Sequence, residues 1–216
     1  MENTFLISKK ISIIEDSSIH REWLVEEINE DAELNVVSSD NSGAKGIDSV
    51  RTFMPTLVLL DFQLSDITGI EVAKRIKNYL PETKIFLLTS HNEPVLLQRI
   101  VSDKNIDAIS VKGSYYFEQN LILAIKFVIK GGTYLEPSIL TQLRNNGGVD
   151  SLNDLTKREF EVFVQSSVGK NDQQIANDLY VDLAHIRNLR SKISKKISGK
   201  KVDDFLKKLI ENYQPA

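Results

Sequence analysis

Short apolar runs rich in Ile, Val and Leu alternate with longer stretches of helical spacing along residues 9–132. Ile11-Ser12-Ile13-Ile14 reads as a strand that ends at Glu15-Asp16, and Val36-Val37 as a second, short strand. Residues 57–60, 85–88 and 108–111 read as three more, ending at Asp61, Thr89 and Lys112. Between them the spacing predicts helices over residues 18–29, 46–53, 69–79, 94–102 and 118–130, the last closed by Gly131-Gly132. Ile19, Trp23 and Ile28 are assigned to one face of the first helix, and Ile70, Ala73 and Ile76 to one face of the third. Five repeats of strand then helix predict an α/β fold, a five-stranded doubly wound parallel sheet covered on both faces. In such sheets ligands bind beyond the carboxyl ends of the strands, so the polar strand-end residues share one edge.

The pattern then changes. Residues 135–151 read as a linker with a short helix, because the run from Arg144 to Ser151 has turn composition and no periodicity. After it the chain is helical only. Thr156 with Glu159 fits a capping box for a helix to about Ser167, and Gly169 breaks it. Asn171 with Gln174 caps a second helix to Leu179, Asp182 a third to about Ser198, and Asp203 a fourth after Gly199. The predicted domains are residues 1–134, the linker 135–151, and an all-α four-helix domain over 152–216. The helix 118–130 is apolar nearly all round, more than one sheet face needs, which points to an interface or to deep burial.

The chain has 216 residues, 41% hydrophobic and 26% charged, an ordinary globular composition. It contains no Cys, which excludes a disulfide scaffold, Cys-ligated zinc and thiol catalysis. No apolar run approaches the ~20 residues of a membrane span, and the start of the chain lacks the long apolar core of a secretory signal. The expectation is a cytoplasmic protein with no membrane partner. The net charge of -3 hides an asymmetry. Residues 1–150 carry 15 basic and 21 acidic residues, whereas residues 151–216 carry 12 and 9. Seven basic residues and no acidic one lie between Arg187 and Lys201.

Glu15, Asp16 and Asp61 follow apolar strands and fall on one edge. Three carboxylates there repel one another unless a cation joins them, and all-oxygen ligands suit Mg²⁺. Thr89 adds a hydroxyl that donates to a phosphoryl oxygen, and Lys112 a cation for developing negative charge. Together the set fits phosphoryl transfer, which needs positioning and charge neutralisation.

This ordered set resembles the receiver domain of response regulators, a flavodoxin-like fold, over about residues 9–132. Ile-Ile-Glu15-Asp16 is similar to the family's acidic pair. Asp61 and its loop to Gly69 are similar to the phospho-acceptor segment, Leu-Leu-Thr89-Ser90 to the switch Thr, and Ser-Val-Lys112 to the family's Lys. The resemblance implies that Asp61 accepts a phosphoryl group from a histidine kinase, and that the main-chain carbonyl of Gln63 joins the metal shell. Two positions depart from the family pattern. Ser65 stands where Pro is usual, and Ile109 where Tyr or Phe is usual.

Leu155 to Val162 and Gly169 to Leu179 resemble the LuxR-type helix-turn-helix of the NarL/FixJ regulators, a resemblance that covers about residues 152–213. Ile186-Arg187 in the third helix shares the resemblance, while Asp182, His185 and Leu189 stand where the family commonly has a capping hydroxyl, a Thr and a His; the wheel is consistent. Ile186, Leu189, Ile193 and Ile197 form one apolar face. Arg187, Asn188, Ser191 and Lys195 point away from it, and Arg and Asn are residue types that read base edges. Lys192, Lys196, Lys200 and Lys201 flank them and suit phosphates. A solvated basic face on a helical bundle is the alternative, and His185, with no partner His nearby, reads as a surface or phosphate-facing residue rather than a metal ligand.

The expected function is a response regulator transcription factor, not an enzyme. Phosphorylation of Asp61 would control homodimerisation and binding to double-stranded promoter DNA. The alternative is a phosphorylation-independent regulator that works through a protein partner. A haloacid-dehalogenase-type phosphatase is disfavoured, because Asp61-Phe62-Gln63 lacks the second Asp of Asp-x-Asp.

Overall fold

The structure is a computed structural model that describes residues 8–91, 93–145, 150–197, 206, 208 and 209. The fourth helix expected from Asp203, together with Lys200 and Lys201, lies largely outside the described residues. The chain divides into two compact units, Met1–Thr89 and Ser90–Ala216.

The first unit comprises β1 (Lys9–Ile14), α1 (Ser18–Asn29), β2 (Leu34–Asp40), α2 (Gly43–Phe53), β3 (Leu57–Asp61), α3 (Gly69–Tyr79) and β4 (Lys84–Thr89). Its strands are parallel, in the order β2-β1-β3-β4. Ile11, Ile13 and Ile14, then residues 57–60 and 85–88, are buried without alternation, as strands covered on both faces must be. Each such side chain contributes about 1.5–3 kcal/mol on burial. Ser17 caps α1 by accepting from the His20 N–H. The buried stripe of α1 is Leu24 and Ile28, and Ile19 is 82% exposed. Ile19 therefore does not share a face with Ile28, contrary to the expectation from spacing. Nine residues at 100° each put it half a turn round from Ile28. In α3 the buried stripe is Val72, Ala73 and Ile76, with Ile70 only half-buried.

Helix α2 begins at Gly43, earlier than the sequence predicts. Its local cap residue Ser42 makes no side-chain cap. The cap comes instead from the loop after β3, where Asp66 accepts from Gly43 N (2.9 Å) and Ala44 N (2.8 Å). The carboxylate also meets the positive end of the helix dipole. Gly46 brings α2 down onto β1, since a Cβ there would lie 2.4 Å from Cδ1 of Ile14.

The second unit comprises α4 (Pro94–Val101), β5 (Ala108–Val111), α5 (Tyr115–Ile129), β6 (Tyr134–Leu135), α6 (Pro137–Asn145), α7 (Asp150–Asn153), α8 (Lys157–Ser167), α9 (Asp172–Asp178) and α10 (Leu183–Ile197). β6 runs parallel to β5, pairing Ala108 with Tyr134 and Ile109 with Leu135. The described residues thus hold six strands rather than five. A two-residue strand is too short to show periodicity. The stretch read as a linker with a short helix begins at the second residue of β6 and holds α6, whose Ile139, Leu140 and Leu143 are buried. The Arg144 guanidinium lies 4.2 Å from the Phe160 ring centroid and donates to the Leu155 carbonyl at 2.9 Å. Capping boxes start α8 at Thr156 and α9 at Asn171. Ser167 Oγ donates to the Leu135 carbonyl at 2.9 Å. The Phe127 ring packs where side chains on Gly132 and Gly169 would otherwise stand. No helix among the described residues is long and apolar enough to cross a membrane.

Burial works to raise the pKa of Asp66, but the Ala44 and Gly43 N–H donors outweigh it and hold the carboxyl below its ordinary value of 3.8. A depressed folded-state pKa gives stability that is present above the unfolded value and lost as pH falls through the folded one. Asp66→Asn should therefore destabilise the protein at pH 6. The difference should shrink toward zero as pH drops below about 3.8, as followed by urea melts across that range. A difference that stays constant with pH would refute the charged cap.

Candidate functional site

The register of β1 against β3 aligns Ile14 with Leu60, so the next residues, Glu15 and Asp61, emerge side by side at the carboxyl edge. Both are buried, at 1% and 3% exposure, while Asp16 is exposed. Ligand atoms from Glu15, Asp16 and Asp61 all lie within 4.8 Å of one another. The strand end is held tightly. Glu15 N donates to the Asp40 carbonyl at 3.0 Å. Its carboxylate accepts from Ser17 N at 3.1 Å and contacts His20 Nδ1 at 2.9 Å. Arg21 donates to the carbonyls of Glu15 (2.7 Å) and Asp16 (3.3 Å) and so clamps the turn. The His20 ring stacks on Trp23 with centroids 5.6 Å apart.

Asp61 accepts from Gln63 N at 3.1 Å. The loop then returns through a bridge between Gln63 and Thr68, and Gly69 N donates to the Phe62 carbonyl at 2.8 Å. A Cβ on Gly69 would sit 2.3 Å from the Asp61 carbonyl oxygen, so only glycine allows this approach. The neighbouring strand pairs Leu88 with Asp61, and Phe62 N donates to the Leu88 carbonyl at 2.8 Å. Thr89 follows at once and is fully buried. An all-oxygen set of three converging carboxylates fits a hard divalent cation such as Mg²⁺.

Lys112 belongs to the second unit, half-buried at the end of β5 and followed by Gly113 at φ +66°. The buried Glu136, just past β6, fixes this strand end by accepting from Ser110 Oγ and from Val111 N (2.7 Å). Sequence reasoning passed over His20, Arg21, Asp66 and Glu136. Glu136 carries the signal already used for Asp61, an acidic residue closing an apolar pair. The others sit in the helix or loop after a strand, where a side chain turns back to the edge.

In α10 the apolar stripe Ile186, Leu189, Ile193 and Ile197 is buried. Arg187, Asn188, Ser191, Lys192, Lys195 and Lys196 are exposed. Two cations of this helix serve the fold. Lys196 Nζ meets the buried Glu159 at 2.7 Å and the Asp154 carbonyl at 3.1 Å, and Arg190, 9% exposed, meets Asp172 at 2.9 Å. Burial raises the Glu159 pKa, but hydrogen bonds from Lys196 and Thr156 prevail and hold it below its ordinary value. Arg158 donates to the Leu179 carbonyl at 2.8 Å and ties α8 to the end of α9.

Residues 11–113 match the response regulator receiver domain family. The chain is 27% identical over 207 residues to the transcriptional regulatory protein LnrK of Bacillus subtilis (strain 168), covering 88% of this chain and 90% of that protein. It is 25% identical over 190 residues to the response regulator VraR of Staphylococcus aureus (strain NCTC 8325 / PS 47), covering 85% and 90%. Among solved structures, the response regulator RcsB in a DNA complex superposes with a TM-score of 0.59 at 20% identity, covering 93% of this chain and 98% of that one. A LuxR-family response regulator from Aurantimonas sp. SI85-9A1 gives 0.59 at 20% identity over 65% of this chain and 98% of that one, a likeness of fold. Residues 11–113 thus form a receiver domain, a helical segment follows it, and over most of its length the chain is similar to response regulators.

Proposed function

We propose that this response regulator is a transcription factor whose output is switched by phosphorylation of Asp61. The observation that carries the reading is the convergence of Glu15, Asp16 and Asp61 within 4.8 Å at the strand edge of a receiver domain. A cognate histidine kinase donates the phosphoryl group. An Asp61 carboxylate oxygen attacks phosphorus, the new O–P bond forms, the N–P bond of the phosphohistidine breaks, and the leaving imidazole takes up a proton. Mg²⁺, held by Glu15, Asp16, Asp61 and the main-chain carbonyl of Gln63, supplies charge neutralisation when bound. Thr89 donates its hydroxyl to a phosphoryl oxygen and Lys112 pairs with the added charge. Phosphorylation can shift the protein only by the difference it makes between two states.

The output is binding of double-stranded promoter DNA by the helical domain, residues 152–216, with residues 135–151 joining it to the receiver, residues 1–134. The exposed face of α10 supports this, with Arg187, Asn188 and Ser191 toward base edges and Lys192 and Lys195 toward phosphates. Lys196, held by Glu159, has mainly a fold role. The receiver forms the homodimer through α5, where Leu123 is 69% and Tyr115 79% exposed. One observation favours a second reading, regulation by a protein partner without phosphorylation. Ile109, where receivers usually carry an aromatic ring, is an aliphatic residue buried in β5, so no ring is there to turn inward.

Incubation with Mg²⁺ and acetyl phosphate should add one phosphoryl mass to the protein and none to Asp61→Asn. Labelling that persists in the variant would overturn the assignment. An unlabelled wild type would favour the second reading.

Arg187→Ala should cost ~1–3 kcal/mol on a selected duplex and relax preference at one base pair. Lys192→Ala should weaken all duplexes alike and lower the salt slope by about one. Lys196→Ala should instead lower the thermal midpoint, having removed a partner of a buried carboxylate worth about 1–3 kcal/mol. Titrations of selected and random duplexes at several salt concentrations, with melts of each variant, separate the three roles. Equal losses on both duplexes for Arg187→Ala would reduce that residue to a phosphate contact.

Sedimentation equilibrium should show self-association that Leu123→Lys weakens. A wild type that stays monomeric at high concentration, with and without beryllofluoride, would refute the α5 interface.

A further inference from the structure

We propose that Asp172 is a positioning residue that sets which base α10 reads, by holding Arg187 in one orientation. The inference rests on the DNA-binding reading and adds a residue outside α10 to it. Asp172 is the first residue of α9, and its side chain is only 18% exposed. Its two oxygens face different cations. Oδ1 accepts from Arg190 Nη1 at 2.9 Å, and Oδ2 lies 3.8 Å from Arg187 Nε. Arg190 is buried against the core, so the first contact fixes the carboxylate rigidly to α10. Arg187 is 63% exposed and three residues earlier on the same side of the helix.

The geometry divides the Arg187 guanidinium into two edges. The Nε side is drawn to Asp172, which leaves the end away from the helix to meet a guanine through paired N–H donors. A long Arg side chain free in water loses rotamer freedom when it binds a base, and a carboxylate that already holds one rotamer removes part of that cost. Asp172 also carries a negative charge beside a surface that would face phosphates. Its charge therefore works against binding to every duplex, while its position favours the one with the right base. These effects have opposite signs, so they can be told apart, whereas a residue that merely supported the fold would weaken both.

The test compares wild type, Asp172→Asn, Arg187→Ala and the double variant on a duplex enriched from a random library by the wild type, and on a random duplex. Asn retains an oxygen for Arg190, so the fold should survive, as a melt will show. The expected result for Asp172→Asn is binding to the random duplex about two- to threefold tighter at low salt, from one less repulsive charge. The preference for the selected duplex should fall about tenfold. In the Arg187→Ala background the same change should leave the preference untouched. If the Asn variant does not fold, Asp172→Glu keeps the charge while displacing it by one methylene. Preference should then fall at unchanged affinity for the random duplex. An unchanged preference in the folded variant, or an equal fall with and without Arg187, overturns the proposal while base reading by α10 stands. A wild type that enriches no sequence overturns the DNA-binding reading, and this one with it.

Discussion

Two buried carboxylates side by side are the constraint around which the N-terminal unit is organised. Glu15 and Asp61 meet because β1 and β3 are parallel and in a register that ends both strands together. At the 4.8 Å limit of the cluster, two such charges repel by roughly 3–4 kcal/mol at an effective dielectric near 20. Strands buried on both faces resist the separation that this repulsion favours. The clamps follow from the same need. Arg21 takes the carbonyls of the turn, Ser17 N and His20 engage Glu15, and Gln63 N engages Asp61. A site built this way holds its charges in advance of any ligand.

The C-terminal unit shows the reverse economy of charge. Its sequence is basic, yet part of that charge is internal. Lys196 and Arg190 face Glu159 and Asp172, and each pair ties α10 to another helix. A count of Lys and Arg therefore overstates the cations available to a polyanion. Among the described residues of α10, the exposed cations not tied to another helix by a close ion pair are Arg187, Lys192 and Lys195.

What was legible in the sequence is what depends on neighbours in the chain. Continuous apolar runs marked β1, β3, β4 and β5 to within a residue or two, and Thr156 and Asn171 marked the starts of α8 and α9 through their own capping boxes. The acidic residues after β1 and β3 were legible as a cluster because parallel strands share one carboxyl edge. What was not legible depends on distant residues. Helix α2 starts early because Asp66 caps it from another loop, and β6 exists because a two-residue segment pairs with β5. The partners of Lys196 and Asp172 are likewise set by helix packing, which no local pattern encodes.

Gly69 turns a chemical site into a rule about permissible sequences. Its α-carbon rests on the carbonyl of Asp61, and it is also the first residue of α3. The loop between them must therefore span a fixed gap and end in a residue without a side chain. Lengthening the loop would carry the glycine off the carbonyl, and replacing the glycine would push the carbonyl aside. Among descendants of this chain, variation should thus be wide at the exposed Ser65, narrow in loop length, and closed at position 69.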